Sequence, residues 1–249
     1  MHYEARVITL DPHSRRFSQF QQANEHISWR IFEAVRGAAL SRTEILARNL
    51  VAAKCLDSGK VPVGQIGAMA SHFMLWQEAA KSRTPLLILE DDVFTHPALH
   101  KVISALSSDQ ALDLIFFGVN TDTVLATLSP EGVREFSYFE DRYPPTERIK
   151  SILAGTDPSR LTLRRMLNGF GLCCYLVTPQ GADKIIQTIL PLRSDHIPLE
   201  GIPGASISGI SNDRRLNALF PALNAYVCRP FLAWTPNTDS STRAPSEQR

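Results

Sequence analysis

Residues 86–92 constrain the fold more than any other segment, because an aliphatic run there passes directly into an acidic cluster. Leu-Leu-Ile-Leu is followed at once by Glu90, Asp91 and Asp92. The run is typical of a buried strand, and carboxylates where such a strand leaves the core are costly unless a cation compensates them. Oxygen ligands of this kind favour Mg²⁺ or Mn²⁺ over zinc. An alternative without a ligand is that Asp91 and Asp92 begin a loop and cap the helix after Pro97.

The segments around Glu90, Asp91 and Asp92, here called the acidic tip, alternate between strand and helix patterns. Strands are predicted at residues 5–10, 27–35, 86–89, 112–117 and 172–177. Helices are predicted to begin at Pro12 with Asp11 as N-cap, at Gly64, at Pro97, and at Pro179 with Thr178 as N-cap. This alternation predicts a single α/β domain with a mostly parallel sheet flanked by helices. In such sheets ligands bind at the carboxyl ends of the strands, where the acidic tip is expected.

The second half of the chain is less regular. No strand is predicted between Leu125 and Met166, and residues 142–165 hold an excess of basic residues. That segment is either a lid over anionic phosphates, an acceptor surface, or a solvated loop. Residues 218–227 predict a last strand, and residues 236–249 predict a polar, flexible tail.

Composition excludes several classes of protein. A net charge of +1 over 249 residues gives no field that favours nucleic acid as a partner. No apolar stretch has the length of a membrane span or the pattern of a signal peptide. The cysteines lack the spacing of a metal site. We therefore expect a soluble cytoplasmic protein whose contact with the inner membrane is at most peripheral.

Motifs in four segments, taken in order, resemble those of one enzyme family. Residues 7–16 are similar to I-N-L-D followed by R-R, and residues 64–76 to G-E-I-G-C-x-x-S-H followed by W. Residues 87–92 match a hydrophobic run ending in E-D-D, and residues 171–182 are similar to G-x-x-x-Y-x-I-S-x-x-G-A. This order resembles glycosyltransferase family 25, which includes bacterial lipooligosaccharide galactosyltransferases and animal collagen galactosyltransferases.

The resemblance implies a GT-A fold (Rossmann-like), a nucleotide-sugar donor and usually Mn²⁺, with Mg²⁺ as the other candidate ion. It divides one domain, residues 1–235, into a nucleotide-sugar-binding half (1–120) and an acceptor-side half (121–235). An acidic motif in this arrangement holds the ion against the donor diphosphate. Asp92 is then the first candidate as metal ligand and catalytic residue, Asp91 is the second ligand, and Glu90 is an orienting partner.

The residues that the resemblance assigns to the nucleotide sugar are Thr9, Leu10, Asp11, Arg15, Arg16, His72, Glu90 and Asp91. Arg15 or Arg16 could reach the diphosphate, but both could equally lie on the surface of an amphipathic helix. His72 either contacts the donor or supports the scaffold as a packed hydrogen-bonding residue.

The catalytic base is not determined by the sequence. An inverting transferase needs a carboxylate or histidine to take the proton from the acceptor hydroxyl. The resemblance suggests Glu200, where the family often has Asp, or else Asp195, and Asp213 is a third candidate. For each of them, an exposed loop charge is the competing interpretation.

These inferences predict a metal-dependent glycosyltransferase that moves a hexose, galactose by resemblance, from a UDP-sugar to a hydroxyl. The acceptor would be a glycan or lipid-linked glycan of lipopolysaccharide or another cell-surface glycan. A nucleotidyltransferase is the competing enzyme class, and such an enzyme usually carries a Gly-rich basic loop after its first strand. Residues 11–14 contain no glycine, which argues against this alternative. A degenerate binder of glycan or nucleotide is the remaining alternative, because Thr9, Gln65 and Glu200 depart from the family motifs. The intact acidic triplet argues against it.

Overall fold

A computed structural model of the chain describes residues 1–107, 111–200 and 202–237, so most of the predicted tail lies outside the described residues. The strands are β1 (Glu4–Thr9), β2 (Arg30–Glu33), β3 (Leu86–Glu90), β4 (Phe94–Thr95), β5 (Leu114–Phe116), β6 (Leu125–Leu128), β7 (Arg134–Ser137), β8 (Thr162–Asn168), β9 (Cys174–Val177), β10 (His196–Pro198), β11 (Ser206–Ser208), β12 (Ala225–Arg229) and β13 (Ala233–Trp234). The α-helices are α1 (Arg15–Ala23), α2 (Arg42–Ala47), α3 (Ala53–Asp57), α4 (Val63–Ser82), α5 (Leu99–Ala105), α6 (Thr146–Ala154), α7 (Pro179–Thr188) and α8 (Asn212–Asn217). Short 3₁₀ turns occupy Gly37–Ala39, Pro158–Arg160 and Phe220–Ala222.

The central sheet has nine strands in the order β2-β1-β3-β9-β5-β12-β8-β6-β7. β1 pairs in parallel with β2 and β3, and β5 pairs in parallel with β12. β9 is inserted antiparallel between β3 and β5, with Tyr175 opposite Ile88. Strands β7, β8 and β9 therefore run against the direction of the others. The predicted single α/β domain, with a large sheet flanked by helices, is confirmed, and its sheet is mixed.

The aliphatic run of β3 is explained by burial on both faces of the sheet. Side chains alternate along a strand, so Leu86 and Ile88 pack with α4 and α7 on one face. Leu87 and Leu89 pack with α1 and α5 on the other face. A strand covered on both faces loses the polar positions of a half-exposed strand, which is why no polar residue precedes Glu90.

The first helix begins later than predicted. Asp11 does not cap a helix starting at Pro12; its carboxylate accepts a hydrogen bond from the His13 backbone N–H at 2.9 Å and closes a local turn. Ser14 is the N-cap instead, and its Oγ accepts from the Phe17 N–H at 3.1 Å. The shift places Arg16 in the first helical turn, close to the carboxyl ends of β1 and β3.

The prediction that no strand lies between Leu125 and Met166 was wrong. β6 and β8 pair antiparallel and extend the sheet beyond β12, and β7 forms its exposed edge. An exposed edge strand lacks the alternation that identifies a half-buried strand. The last predicted strand was also displaced, because residues 220–222 form a 3₁₀ turn and β12 begins only at Ala225.

In the described part of the chain, no helix combines the length and the hydropathy that crossing a bilayer requires.

Candidate functional site

A cleft of about 850 Å³ opens at the edge of the sheet where β1 and β3 end. It receives Thr9 from the end of β1, Glu90 from the end of β3 and Asn120 from the segment after β5. Gly171 reaches the same edge because β9 is antiparallel and starts where its neighbours end. This is the edge at which open α/β sheets bind ligands.

The residues assigned to the nucleotide sugar from the sequence converge on this cleft. Its lining includes Thr9, Leu10, Asp11, Arg15, Arg16, His72, Glu90 and Asp91. Asp92, the first candidate as metal ligand, is not part of the lining and lies behind it. The predicted residues therefore share one location in the structure. The role of each residue remains a prediction.

Asp91 is held between two side chains from different elements. The hydroxyl of Thr9 donates to Asp91 Oδ2 at 2.6 Å, and Arg16 Nε lies 2.7 Å from Asp91 Oδ1. The same guanidinium reaches Asp92 Oδ2 through Nη2 at 3.4 Å, with 27% of the Arg16 side chain exposed. Arg16 therefore faces the acidic tip rather than the outer surface, whereas the neighbouring Arg15 is exposed.

Asp92 is a buried carboxylate with an incomplete set of partners. The residue is 6% exposed, and its Oδ1 has no hydrogen-bond partner within the described ranges. Burial raises the pKa of Asp92 to about 6; the Arg16 guanidinium opposes this rise, and the charge of Glu90 adds to it. Burying a carboxylate oxygen such as Oδ1 without a hydrogen-bond donor is costly.

The carboxylates of the acidic tip have oxygen atoms that could bind a divalent ion, although they do not already form a complete site. Among residues 1–107, 111–200 and 202–237, no three His, Cys, Asp or Glu side chains are already gathered around one point as metal ligands. However, Asp92 Oδ1 is a buried acceptor that finds no donor in the described part of the chain, and Arg16 is close to the charges of three carboxylates, Asp92, Asp91 and Glu90. The oxygen donor set and its excess negative charge suit Mg²⁺ or Mn²⁺.

Glu90 lies beside a buried histidine. Glu90 Oε1 is 3.6 Å from His72 Nε2, and 37% of the Glu90 side chain remains exposed toward the cleft. Burial raises the pKa of Glu90, but the interaction with His72 and the charge of Arg16 outweigh it and hold that pKa below its ordinary value. Glu90 is thus an anion on the cleft wall. The second ring nitrogen of His72, Nδ1, lies 2.9 Å from the Tyr175 hydroxyl.

The Ser-His motif has a separate structural role through its serine. Ser71 Oγ accepts from the Val35 N–H at 2.8 Å and donates to the Gly67 carbonyl at 2.8 Å. A Cβ at Gly67 would lie 2.4 Å from the Val35 carbonyl oxygen, so only glycine permits this approach of α4 to the chain after β2. The contact forms a wall of the cleft together with Arg36, which sequence reasoning missed and which donates to the Leu10 carbonyl at 2.6 Å.

Two of the candidate bases lie away from this cleft. Asp195 is bound by Arg193 and Arg215, each at 2.8 Å, and although burial raises its pKa, these arginines lower it below the ordinary value. Glu200 lies 3.5 Å from Arg134 and lines a smaller cavity of about 430 Å³.

The third candidate base, Asp213, lines the large cleft. Its Oδ1 accepts from the Ser211 hydroxyl at 2.5 Å and from the Arg214 N–H at 2.8 Å, and its Oδ2 accepts from the Gly171 N–H at 3.2 Å. Gly171 has a φ of +86°, and a Cβ there would meet Asn120 Oδ1 at 2.1 Å. The family-like glycine before β9 is thereby explained by a backbone that approaches Asn120 and Asp213 closely.

The cleft also contains residues that sequence reasoning did not identify, namely Asp122, Tyr143, Arg214, Thr235 and Asn237. They come from the irregular second half, where no periodicity indicates which side chains face inward. The sequence contained one indication of these residues: the segment that follows β5 was expected at the carboxyl edge of the sheet, where the cleft lies.

The family model described as glycosyltransferase family 25 (LPS biosynthesis protein) matches residues 3–198. The match includes every cleft residue from β1, α1, α4 and β3 and ends before Glu200 and Asp213. No curated protein gives a significant match.

Proposed function

The chain belongs to glycosyltransferase family 25, and on that premise we propose that the cleft binds a UDP-sugar, with galactose as the hexose, and transfers the sugar to a hydroxyl of a glycan. The acceptor is proposed to be a glycan or lipid-linked glycan of lipopolysaccharide or another cell-surface glycan. One observation carries the proposal: the family-derived residues of four separate segments line a single cleft at the carboxyl ends of β1 and β3.

The charges of the cleft support a diphosphate as part of the ligand. The carboxylates that line the cleft would repel an anion, but guanidinium groups line the same space; the carboxylates are Asp11, Glu90, Asp91, Asp122 and Asp213, and the guanidinium groups are Arg15, Arg16, Arg36 and Arg214. Guanidinium groups bind phosphate oxygens through charge-assisted hydrogen bonds. The proposal assigns the diphosphate to these arginines, with Arg16 nearest the acidic tip.

A divalent ion, Mn²⁺ or Mg²⁺, is part of the proposal. Asp91 and Asp92 would hold it, with Glu90 beside them as a contact of the donor. When bound, such an ion supplies positive charge that stabilises the departing nucleoside diphosphate. The support is that Asp92 Oδ1 has no donor among the described residues and that a single guanidinium, Arg16, contacts both Asp91 and Asp92.

Asp213 is proposed as the base that accepts the proton of the acceptor hydroxyl. Of the candidates from the sequence it is the one on the cleft wall, whereas Asp195 and Glu200 are engaged by arginines elsewhere. Three hydrogen bonds hold the Asp213 carboxylate in one orientation. A fixed base within reach of its proton is a requirement of general base catalysis.

The test is a donor screen with the full chain. UDP release would be measured with Mn²⁺ and a panel of UDP-sugars, with and without EDTA and lipopolysaccharide-derived acceptors. Acceptor-stimulated, EDTA-sensitive release from UDP-galactose is the expected result. UDP binding by calorimetry without turnover on any donor would favour the degenerate binder, and an absence of both binding and release would refute the proposal.

A further inference from the structure

A row of hydrogen-bonding side chains crosses the core and ends at Glu90. Trp76 Nε1 lies 2.9 Å from the Tyr175 hydroxyl, which lies 2.9 Å from His72 Nδ1. His72 Nε2 faces Glu90 Oε1 at 3.6 Å. Trp76 and Tyr175 are fully buried and His72 is 2% exposed, so solvent does not compete for these groups.

The donors and acceptors of this row can be assigned one by one. The Trp76 indole can only donate, so the Tyr175 oxygen accepts from it. The hydroxyl proton of Tyr175 then needs an acceptor, and in the described part of the chain His72 Nδ1 lies within hydrogen-bond distance of it. An imidazole that accepts at Nδ1 carries its proton at Nε2 when neutral, and that proton faces Glu90.

The opposite tautomer leaves two defects. A proton on His72 Nδ1 would make the Tyr175 oxygen accept twice, and the Tyr175 hydroxyl proton would then have no acceptor in this row. It would also turn the lone pair of Nε2 toward the Glu90 carboxylate, placing two acceptors face to face. Unpaired buried donors and opposed acceptors both cost free energy in a low-dielectric interior.

We infer that Trp76 and Tyr175 fix His72 as the Nε2–H tautomer, and that His72 is thereby a positioning residue that orients Glu90 to accept a hydrogen bond from a hydroxyl of the sugar donor. The inference rests on the proposed function for its ligand. Glu90 Oε1 faces His72, while the carboxylate lines the cleft and can accept from a ligand. The distance of 3.6 Å between His72 Nε2 and Glu90 Oε1 is longer than that of a hydrogen bond. A small shift of the partly exposed Glu90 side chain on ligand binding would bring the two atoms within hydrogen-bond distance.

The first test does not require activity. Long-range ¹H–¹⁵N correlation spectra of the ¹⁵N-histidine-labelled full chain report which ring nitrogen carries the proton. We expect His72 as the Nε2–H tautomer in the wild type and a mixture or the opposite tautomer in Tyr175→Phe. An Nδ1–H form of His72 in the wild type, or a tautomer unchanged by Tyr175→Phe, would overturn the inference.

The chain offers a matched control for this substitution. Tyr3 also contacts a histidine, with its hydroxyl 2.9 Å from His100 Nδ1, but the pair is exposed and does not line the cleft. Tyr3→Phe removes the same chemical group and should leave the His72 signals and the donor kinetics unchanged. A tautomer change at His72 in Tyr3→Phe as large as that in Tyr175→Phe would overturn the inference, because the tautomer would then not depend on the contact with Tyr175.

The second test separates positioning from folding. Among variants that keep the wild-type melting transition, Tyr175→Phe should raise the donor KM by about threefold to tenfold, with a smaller change in kcat, as expected for one lost hydrogen bond. His72→Gln keeps an N–H donor and should retain more of the donor affinity than His72→Leu. Equal losses in the two His72 variants would refute the positioning role. If no donor is turned over but the tautomer result holds, the proposed function fails while the assignment of His72 stands.

Discussion

Arg16 Nε lies 2.7 Å from Asp91 Oδ1, so the acidic tip contains a cation of the protein itself. The contact has two consequences for ligands. A divalent ion has to share Asp91 with the guanidinium or displace it, because Thr9 already occupies the other carboxylate oxygen. An anionic diphosphate, in contrast, gains a partner when Arg16 turns toward it. Metal and donor are therefore expected to bind more tightly together than singly.

Arg16→Gln should lower the free energy of unfolding by roughly 1–3 kcal/mol, because it leaves the partly buried Asp91 and Asp92 uncompensated. UDP affinity should fall as well. Arg15→Gln is the matched control for stability alone, because Arg15 is exposed on the same helix but also lines the cleft, and it should change the free energy of unfolding by no more than about 0.5 kcal/mol. Urea unfolding and UDP calorimetry check both variants, and similar stability losses in the two would contradict the interpretation.

Mn²⁺ alone should bind Arg16→Gln more tightly than the wild type, because the competing guanidinium is absent. We expect about a tenfold difference, the equivalent of about 1.4 kcal/mol. Saturating UDP should shrink the difference, since wild-type Arg16 can then pair with phosphate. Electron paramagnetic resonance of free Mn²⁺, with and without UDP, measures the effect. Weaker Mn²⁺ binding by Arg16→Gln in the absence of UDP would rule out the competition.

Asp92 should make the stability of the metal-free protein depend on pH. Its pKa of about 6 in the folded state lies above the ordinary value of 3.8, so the folded state binds more protons between these values and loses stability as the pH rises. Asp92→Asn lacks this titration and should gain roughly 2–3 kcal/mol relative to the wild type between pH 4 and pH 7. Thermal unfolding in EDTA tests this; a constant difference across that range would argue against a buried, unsatisfied carboxylate.

Asp213→Asn should lower kcat by about 10²–10⁴-fold while preserving UDP affinity, as expected for loss of a general base. Glu200→Gln is the comparison, since Glu200 lies on the smaller cavity, and it should retain near-normal turnover. Initial rates at saturating donor and acceptor distinguish them. The reverse pattern, with Glu200→Gln inactive, would return the assignment to Glu200.

Asp195→Asn should destabilise the protein by roughly 1–3 kcal/mol, because Arg215, only 4% exposed, would lose its carboxylate partner. The lowered pKa of Asp195 means that its contribution is present at neutral pH and is lost as the pH falls through its folded-state pKa. The wild type and Asp195→Asn should therefore converge in stability in acid. Denaturation at neutral and acid pH checks this, and unchanged stability with lost kcat would instead support a catalytic role.

The central part of the fold was predictable because its signals are local. The aliphatic run of β3 and the cap at Thr178, whose hydroxyl accepts from the Gly181 N–H at 3.1 Å, follow from neighbouring residues alone. β7 was missed because an edge strand needs no apolar alternation. The start of α1 was misplaced by three residues because Asp11 and Ser14 are both residue types that favour an N-cap, and in the structure Ser14 caps the helix while Asp11 closes a local turn.

Many residues that line the candidate cleft were predictable from the sequence, but their arrangement was not. Motif order identified Arg16, His72 and Glu90, yet nothing in the sequence indicates that Arg16 packs against Asp91 and Asp92 while Arg15 stays exposed. The pairing of Asp195 with Arg215 spans 20 residues and depends on the path of the chain between them. Such contacts follow from packing, which a single sequence does not encode in any local pattern.

The pairing of β3 with β9 places Tyr175 opposite Ile88, on the face of the sheet that carries His72. Because side chains alternate, a slip of one residue between these strands would send Tyr175 to the opposite face without breaking the sheet. The register of β3 and β9 therefore determines whether the Tyr175 hydroxyl can reach His72. The orientation of Glu90 thus depends on how two strands pair as well as on the residues that contact it.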